Sequence, residues 1–312
     1  MHPVVWLMRF LAPWPLGALR ALGWVLGHVL WALARSRRRI VQVNLALCFP
    51  HLTPRQRGHL ARRHFVGVVQ SLLDRSWLWH GSPAQLRRRL QLQGDLSPLL
   101  GPEPVVMLAP HFVGLDAGGS ALTQVHGVHM ASIYVRQRNA ALDEWVRQGR
   151  NRSGHVSLYF RHQGVKQILS GLRQGDKLYL LPDMDFGRNE SVFVPFYGVQ
   201  AATVPSLSRF ARLGRARVMT VATRMTAQGY RLELGPLWAD FPSEDEGLFR
   251  AQRETRYRQS MTFWTYLLHC ADRSWCDFVA VYHRSWHAIG LSGANSEDFV
   301  ELKFSCPQTD VD

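Results

Sequence analysis

His111 is followed five residues later by Asp116 in the string Ala-Pro-His-Phe-Val-Gly-Leu-Asp (109–116), directly after the apolar run 105–109. A histidine and a carboxylate this close can act as a base and its orienter, the two parts needed to deprotonate a hydroxyl. In a chain with 14 histidines and 23 acidic residues, chance predicts about one such spacing. The chain has one, so the pair acquires meaning only from the elements around it. A strand ending at Ala109 would carry His111 just past its carboxyl end, where open α/β sheets place their sites. Gly114 permits a close backbone turn. The helix starting near Asp116 offers free N–H groups to a developing oxyanion. A histidine held by Asp116 for structural reasons alone fits the same residues.

The surrounding pattern supplies those elements. Thr53-Pro54-Arg55-Gln56 and Ser82-Pro83-Ala84-Gln85 each combine a hydroxyl cap, a proline at the first helical position and Gln at the third. They predict helices over 54–79 and 83–92, decorated by Arg62, Arg63 and Arg87 to Arg89. Short apolar runs predict strands at 105–109, 129–135, 156–160, 177–181, 217–223 and 230–234. Helical patterns fall at 115–124, 140–150, 164–173 and 204–213. The alternation implies an α/β fold, a mixed sheet flanked by helices, with no repeat or linker to divide it.

The balance is strongly basic, with a net charge of +14. Only Lys166, Lys177 and Lys303 are lysines, so arginine supplies the rest of the 37 cations. Guanidinium groups favour partners bearing phosphate or carboxylate. Nucleic acid, an anionic membrane and an acidic carrier protein all qualify by charge. No recognised nucleic-acid motif is present. The four cysteines, Cys48, Cys270, Cys276 and Cys306, contain no Cys-x2-Cys pair and make no disulfide scaffold, which points to a reducing compartment.

Residues 4–34 are mostly apolar and carry Trp6, Trp14, Trp24 and Trp31, interrupted by Arg9, Arg20 and His28. The stretch 14–34 reaches bilayer length only if Arg20 snorkels; a helix lying in the interface suits the arginines better. Ala32-Leu33-Ala34 has the form of a cleavage site, but the cluster Arg35, Arg37, Arg38 and Arg39 behind it opposes export. By the positive-inside rule that cluster keeps the rest of the chain in the cytoplasm. It can also meet anionic headgroups.

Four ordered blocks resemble the late acyltransferases of lipid A biosynthesis (lauroyl and myristoyl transferases, lysophospholipid acyltransferase superfamily). Segment 38–50 is similar to their Arg-x5-Asn-Leu-x2-Cys-Phe-Pro string, and 111–116 to their His-x4-Asp/Glu block. Tyr134 and Asn139 to Trp145, ending at Arg150, resemble the second block. Leu181-Pro182-Asp183-Met184-Asp185-Phe186-Gly187 with 191–196 resembles the third. The match runs over residues 35–240.

This resemblance implies a glycerolipid acyltransferase-like fold with an N-terminal membrane helix, on the cytoplasmic face of the bacterial inner membrane. It implies transfer of an acyl chain from acyl carrier protein to a hydroxyl of a lipid A precursor, without a metal, another cofactor or a covalent intermediate. His111 would take the hydroxyl proton, and Asp116 would fix and stabilise the imidazole. Arg150 would grip an acceptor phosphate, Asp183 would structure the site or orient a basic residue, and Gly114 would shape the turn at the substrate. The implied division is an anchor over 1–35, an acyltransferase domain over 36–245 and an atypical segment over 246–312, where the family's usual ending is absent. That break suggests a diverged or frameshifted end.

Other readings are another lipid acceptor, such as a lysophospholipid or glycolipid, and an impaired lipid-binding relative. A glycosyl transferase using Asp183-Met184-Asp185 on a metal ion is a third.

Overall fold

Residues 2–160, 165–183, 192–197, 199–239 and 241 are described by the computed structural model. The expectations for 246–312, and those for Met184 to Gly187, lie outside them. The N-terminal helices are α1 (Pro3–Leu11), α2 (Leu16–Leu33), α3 (Arg35–Cys48), α4 (Pro54–His80) and α5 (Pro83–Arg89). Pro13 and Pro15 sit between α1 and α2 and lack the N–H a continuous helix needs. Helix α4 starts as the sequence predicts, with Thr53 and Gln56 bonded to each other's backbone N–H. Ser82 caps α5 by accepting from Gln85 N.

The remaining elements are β1 (Leu90–Gln93), α6 (Ser97–Leu100), β2 (Val105–Leu108), α7 (Leu115–Ser120), β3 (Met130–Tyr134), α8 (Ala140–Arg150), β4 (Val156–Phe160), α9 (Val165–Arg173), β5 (Lys177–Leu180), β6 (Val192–Phe196), β7 (Val199–Thr203), α10 (Ser206–Gly214), β8 (Arg217–Thr226) and β9 (Gly229–Leu237). A mixed seven-stranded sheet runs in the order β1-β9-β8-β2-β5-β3-β4, parallel except at β8/β9. Strands β6 and β7 form a separate antiparallel hairpin.

The α/β sheet with flanking helices is therefore as expected, two local readings are corrected, and one element is new. The helix expected over 83–92 ends at Arg89, because Leu90 to Gln93 alternate apolar and polar and pair with Tyr230 to Glu233. The helix expected over 115–124 is regular only to Ser120 and continues as a π-helical turn, Ala121–Val125. The β6/β7 hairpin is an element the sequence pattern does not announce.

Strand β2 lies at the centre, and all four of its residues are buried. Val105 and Met107 face the apolar cluster under α1, α2, α4 and α8; Val106 and Leu108 face the one under α9 and α10. Burial on both faces is why this strand reads as a continuous apolar run.

Helix α2 is long and apolar enough to cross a membrane, at 18 residues and a mean hydropathy of 1.4. One of its sides is docked on the protein. Gly27 approaches α4 so closely that a Cβ there would lie 2.6 Å from Val66 Cα. Arg20 turns inward and pairs with Asp74 of α4 at 2.9 Å. The opposite side exposes Trp24, Val29 and Leu33.

Candidate active site

The site grows from adjacent strands. β2 and β5 pair in parallel, so the segments after them emerge at the same edge of the sheet. Ala109 N still donates to Leu180 O at 2.9 Å, which holds the two segments together one residue beyond the strands. His111 follows β2 by three residues and Asp183 follows β5 by three. Asp183 accepts twice from the same residue: Oδ2 from the His111 backbone N at 2.8 Å, and Oδ1 from the ring at Nδ1, also at 2.8 Å. A carboxylate on Nδ1 makes that nitrogen the protonated one, so Nε2 keeps its lone pair. The imidazole remains about a third exposed, at 33%, so a substrate hydroxyl can reach it.

The partner expected for His111 was Asp116, and the structure assigns Asp116 to other residues. It sits in the first turn of α7, which turns its carboxylate toward α4 and α8. Arg75 Nε and Nη2 reach Oδ2 at 2.8 and 2.7 Å, and Arg150 Nε reaches Oδ1 at 2.9 Å. Burial alone would raise this carboxyl, but Arg150 and Arg75 overcome it and hold the pKa at about 2, against an ordinary 3.8. Asp116 is thus fixed as an anion, and Asp183 fills the orienting position. Arg150, expected to meet an acceptor phosphate, spends its Nε on Asp116.

His111, Asp116, Arg75, Arg150 and Gly114 all line one cavity of about 550 Å³. Its remaining wall is largely apolar and includes Leu78, Met130, Ile133, Val156 and Leu158. Such a lining, with a few convergent polar groups, is what a site for an apolar chain with a polar reacting end requires. Gly114 works by close approach: a Cβ there would stand 2.8 Å from Thr223 and 2.9 Å from the Tyr230 ring. The turn carrying His111 can therefore lie flat on β8 and β9. Among the described residues, no group of three or more His, Cys, Asp or Glu side chains is arranged to hold a metal ion.

Arg75 is the functional candidate that sequence reasoning missed. Its signal was the dipeptide Asp74-Arg75 inside the otherwise uncharged stretch 65–79 of α4. Asp74 is the other half of that signal. It is fully buried and accepts from Tyr230 OH at 2.6 Å and Trp77 Nε1 at 2.9 Å, besides pairing with Arg20. Burial pushes its carboxyl up, against the pull of Arg20, Tyr230 and Trp77.

Sheet, cavity and oriented histidine together define an α/β protein with a histidine–carboxylate pair beside a largely apolar cavity. Residues 2–254 match the model of the bacterial lipid A biosynthesis acyltransferases, and the chain belongs to that family. It is 33% identical, over 221 residues covering 69% of this chain and 67% of the relative, to a lipid A biosynthesis acyltransferase of Haemophilus influenzae. It is 28% identical over 260 residues, 78% of this chain and 83% of the relative, to the lipid A biosynthesis palmitoleoyltransferase of Escherichia coli. Among solved structures, the 1-acyl-sn-glycerophosphate acyltransferase of Thermotoga maritima overlaps 74% of this chain and 98% of its own, at 11% identity and a TM-score of 0.35. A likeness of that size bears on neither fold nor reaction.

Proposed function

We propose that this protein moves a fatty acyl chain from the thioester of acyl carrier protein to a hydroxyl of a lipid A precursor, with His111 as general base. The observation that supports this reading most is the His111–Asp183 pair at the rim of an apolar cavity, in a chain of the lipid A acyltransferase family. His111 Nε2 takes the proton as the acceptor oxygen attacks the thioester carbonyl. The tetrahedral intermediate then expels the carrier thiolate, which recovers that proton from the imidazolium. Asp183 stabilises the imidazolium while it exists. Asp116 serves the site by fixing Arg75 and Arg150, and Gly114 by holding the loop against Tyr230. The oxyanion is met by a nearby cation or by backbone N–H groups.

The same proposal covers location and partners. The exposed side of α1 and α2 (Trp6, Phe10, Trp24, Leu33) lies in an inner-membrane interface, with Arg35 and Arg39 meeting headgroups on the cytoplasmic face. A net charge of +14 suits an acidic carrier protein and a phosphorylated acceptor. Residues 1–35 then serve as anchor, 36–245 as the acyltransferase domain and 246–312 as an atypical addition.

The test is acyl transfer from a labelled acyl carrier protein thioester to a lipid A precursor, in detergent with EDTA. His111→Ala is expected to lower the rate by about 10²–10⁴. No transfer by folded wild type across donor chain lengths would overturn the proposal.

A further inference from the structure

The clamp on Asp116 holds more positive charge than the carboxylate neutralises. Asp116 is the one carboxylate among the described residues lining the cavity, and it faces two arginines. Arg75 and Arg150 keep 27% and 26% of their side chains exposed, while Asp116 keeps 11%. Arg75 commits its Nε–Nη2 edge to one oxygen, and Arg150 commits only Nε to the other. Neither guanidinium makes a further hydrogen bond among the described residues, so Nη1 of Arg75 and both Nη groups of Arg150 remain available. Both planes are braced by aromatic rings. Arg75 lies over Trp79 at 5.2 Å and Arg150 over Tyr134 at 5.6 Å. Two rigid guanidinium forks, spaced by a shared carboxylate, suit a tetrahedral oxyanion that accepts several hydrogen bonds at once. An uncompensated cation in a largely apolar cavity is costly until an anion arrives.

We propose that Arg75 and Arg150, spaced by Asp116, form a clamp for one phosphoryl group of a substrate, with Arg75 as the member that favours phosphorylated over dephosphorylated ligand. The proposal rests on the acyl-transfer reading for its choice of substrates. That reading offers two sources of the group: a phosphate monoester on the acceptor sugar, or the phosphopantetheine diester that carries the donor thioester.

The experiment is equilibrium binding to the full chain in detergent, with two pairs of probes. One pair is a lipid A precursor with and without its phosphates. The other is acyl-phosphopantetheine against acyl-pantetheine. Wild type is expected to prefer the phosphorylated member of one pair by about tenfold to a hundredfold, and that pair names the source. In R75Q the preference should fall to about threefold or less, the phosphorylated member losing more than the dephosphorylated one. Equal binding of both members of each pair by wild type overturns the clamp. So does a wild-type preference retained in R75Q, or an equal weakening of both members of a pair. Should R75Q fail to melt cooperatively, R75K decides: it keeps the charge and loses the fork. A preference reduced at least about threefold in R75K supports the clamp, and an unchanged one overturns it. Binding needs no turnover, so an inactive wild type would defeat the acyl-transfer reading alone.

Discussion

Asp74 and Arg75 are neighbours on α4, turned about 100° apart, and the two faces they occupy use nearly the same parts. On the core side, Asp74 has Arg20 against it and Arg89 close by, with Arg89 stacked over Trp77 at 5.1 Å. On the cavity side, Asp116 has Arg75 and Arg150, with Arg75 over Trp79. The two sides differ in access. Asp74 is fully buried and Arg89 only 4% exposed, so a ligand has no way in and the charges serve to hold α2, α4 and β9 together. The arginines around Asp116 are about a quarter exposed to a cavity. A carboxylate between arginines is thus a clasp when sealed and, in the clamp proposed above, a receptor when open. Identity of residues alone does not distinguish the two.

Substitutions on each side should separate rate from stability. The largest expected effect is on the cavity side. Asp183→Asn leaves His111 without a carboxylate on Nδ1 and favours the wrong tautomer, so kcat should fall by about 10³–10⁴ with the melting temperature nearly unchanged. A melt that drops with the rate would place Asp183 among the clasps. On the core side, Arg20→Ala strands a buried carboxylate and should cost about 3–5 kcal/mol in denaturant titrations, while the folded fraction keeps its kcat. A stable but slow R20A protein would break the division. Acid should act next. The Asp116 pKa is about 2 in the folded protein against 3.8 ordinarily, so its contribution is complete above that ordinary value and is lost as pH falls from 3.8 toward 2. It amounts to about 2 kcal/mol, read as the difference in acid unfolding between wild type and Asp116→Asn. The smallest effect is expected at Gly149, where a Cβ would lie 2.2 Å from Trp79 Cδ2. Gly149→Ala should cost about 1–3 kcal/mol and, by moving Trp79 beneath Arg75, weaken binding of the phosphorylated ligand as well.

Much of the scaffold was legible because its signals are local. Asn139 accepts from Ala141 N and Leu142 N, and α8 spans 140–150 as its helical pattern predicts. The run 105–108 is apolar throughout because both faces of β2 are covered. Strand β1 was not legible: it succeeds α5 without a turn signal and exists through its pairing with β9, far along the chain. The candidate base was legible from its residues; its partner was not, and only the family resemblance offered Asp183 as orienting some basic residue. Asp116 is near His111 in sequence, but α7 swings it away, whereas Asp183, 72 residues on, arrives because β5 is the neighbour of β2. Sheet order decides that pairing, and no local spacing encodes it. Arg75 escaped notice for a related reason, since a helical arginine reads as a solvated one until the opposite wall is known.

Arg20 also constrains how the protein is assembled. An arginine in the second turn of an apolar helix opposes insertion of that helix by itself, as a nascent segment alone in lipid. Here its counter-charge, Asp74, lies in α4 beyond a third helix, and its ring partner Tyr230 lies 210 residues downstream. The charge of Arg20 is thus matched only once α4 has been made and has packed on α2, and its ring partner arrives only with β9. On the interfacial seat proposed above, such a helix would meet a bilayer as part of a folded surface and not as a lone segment threaded through it.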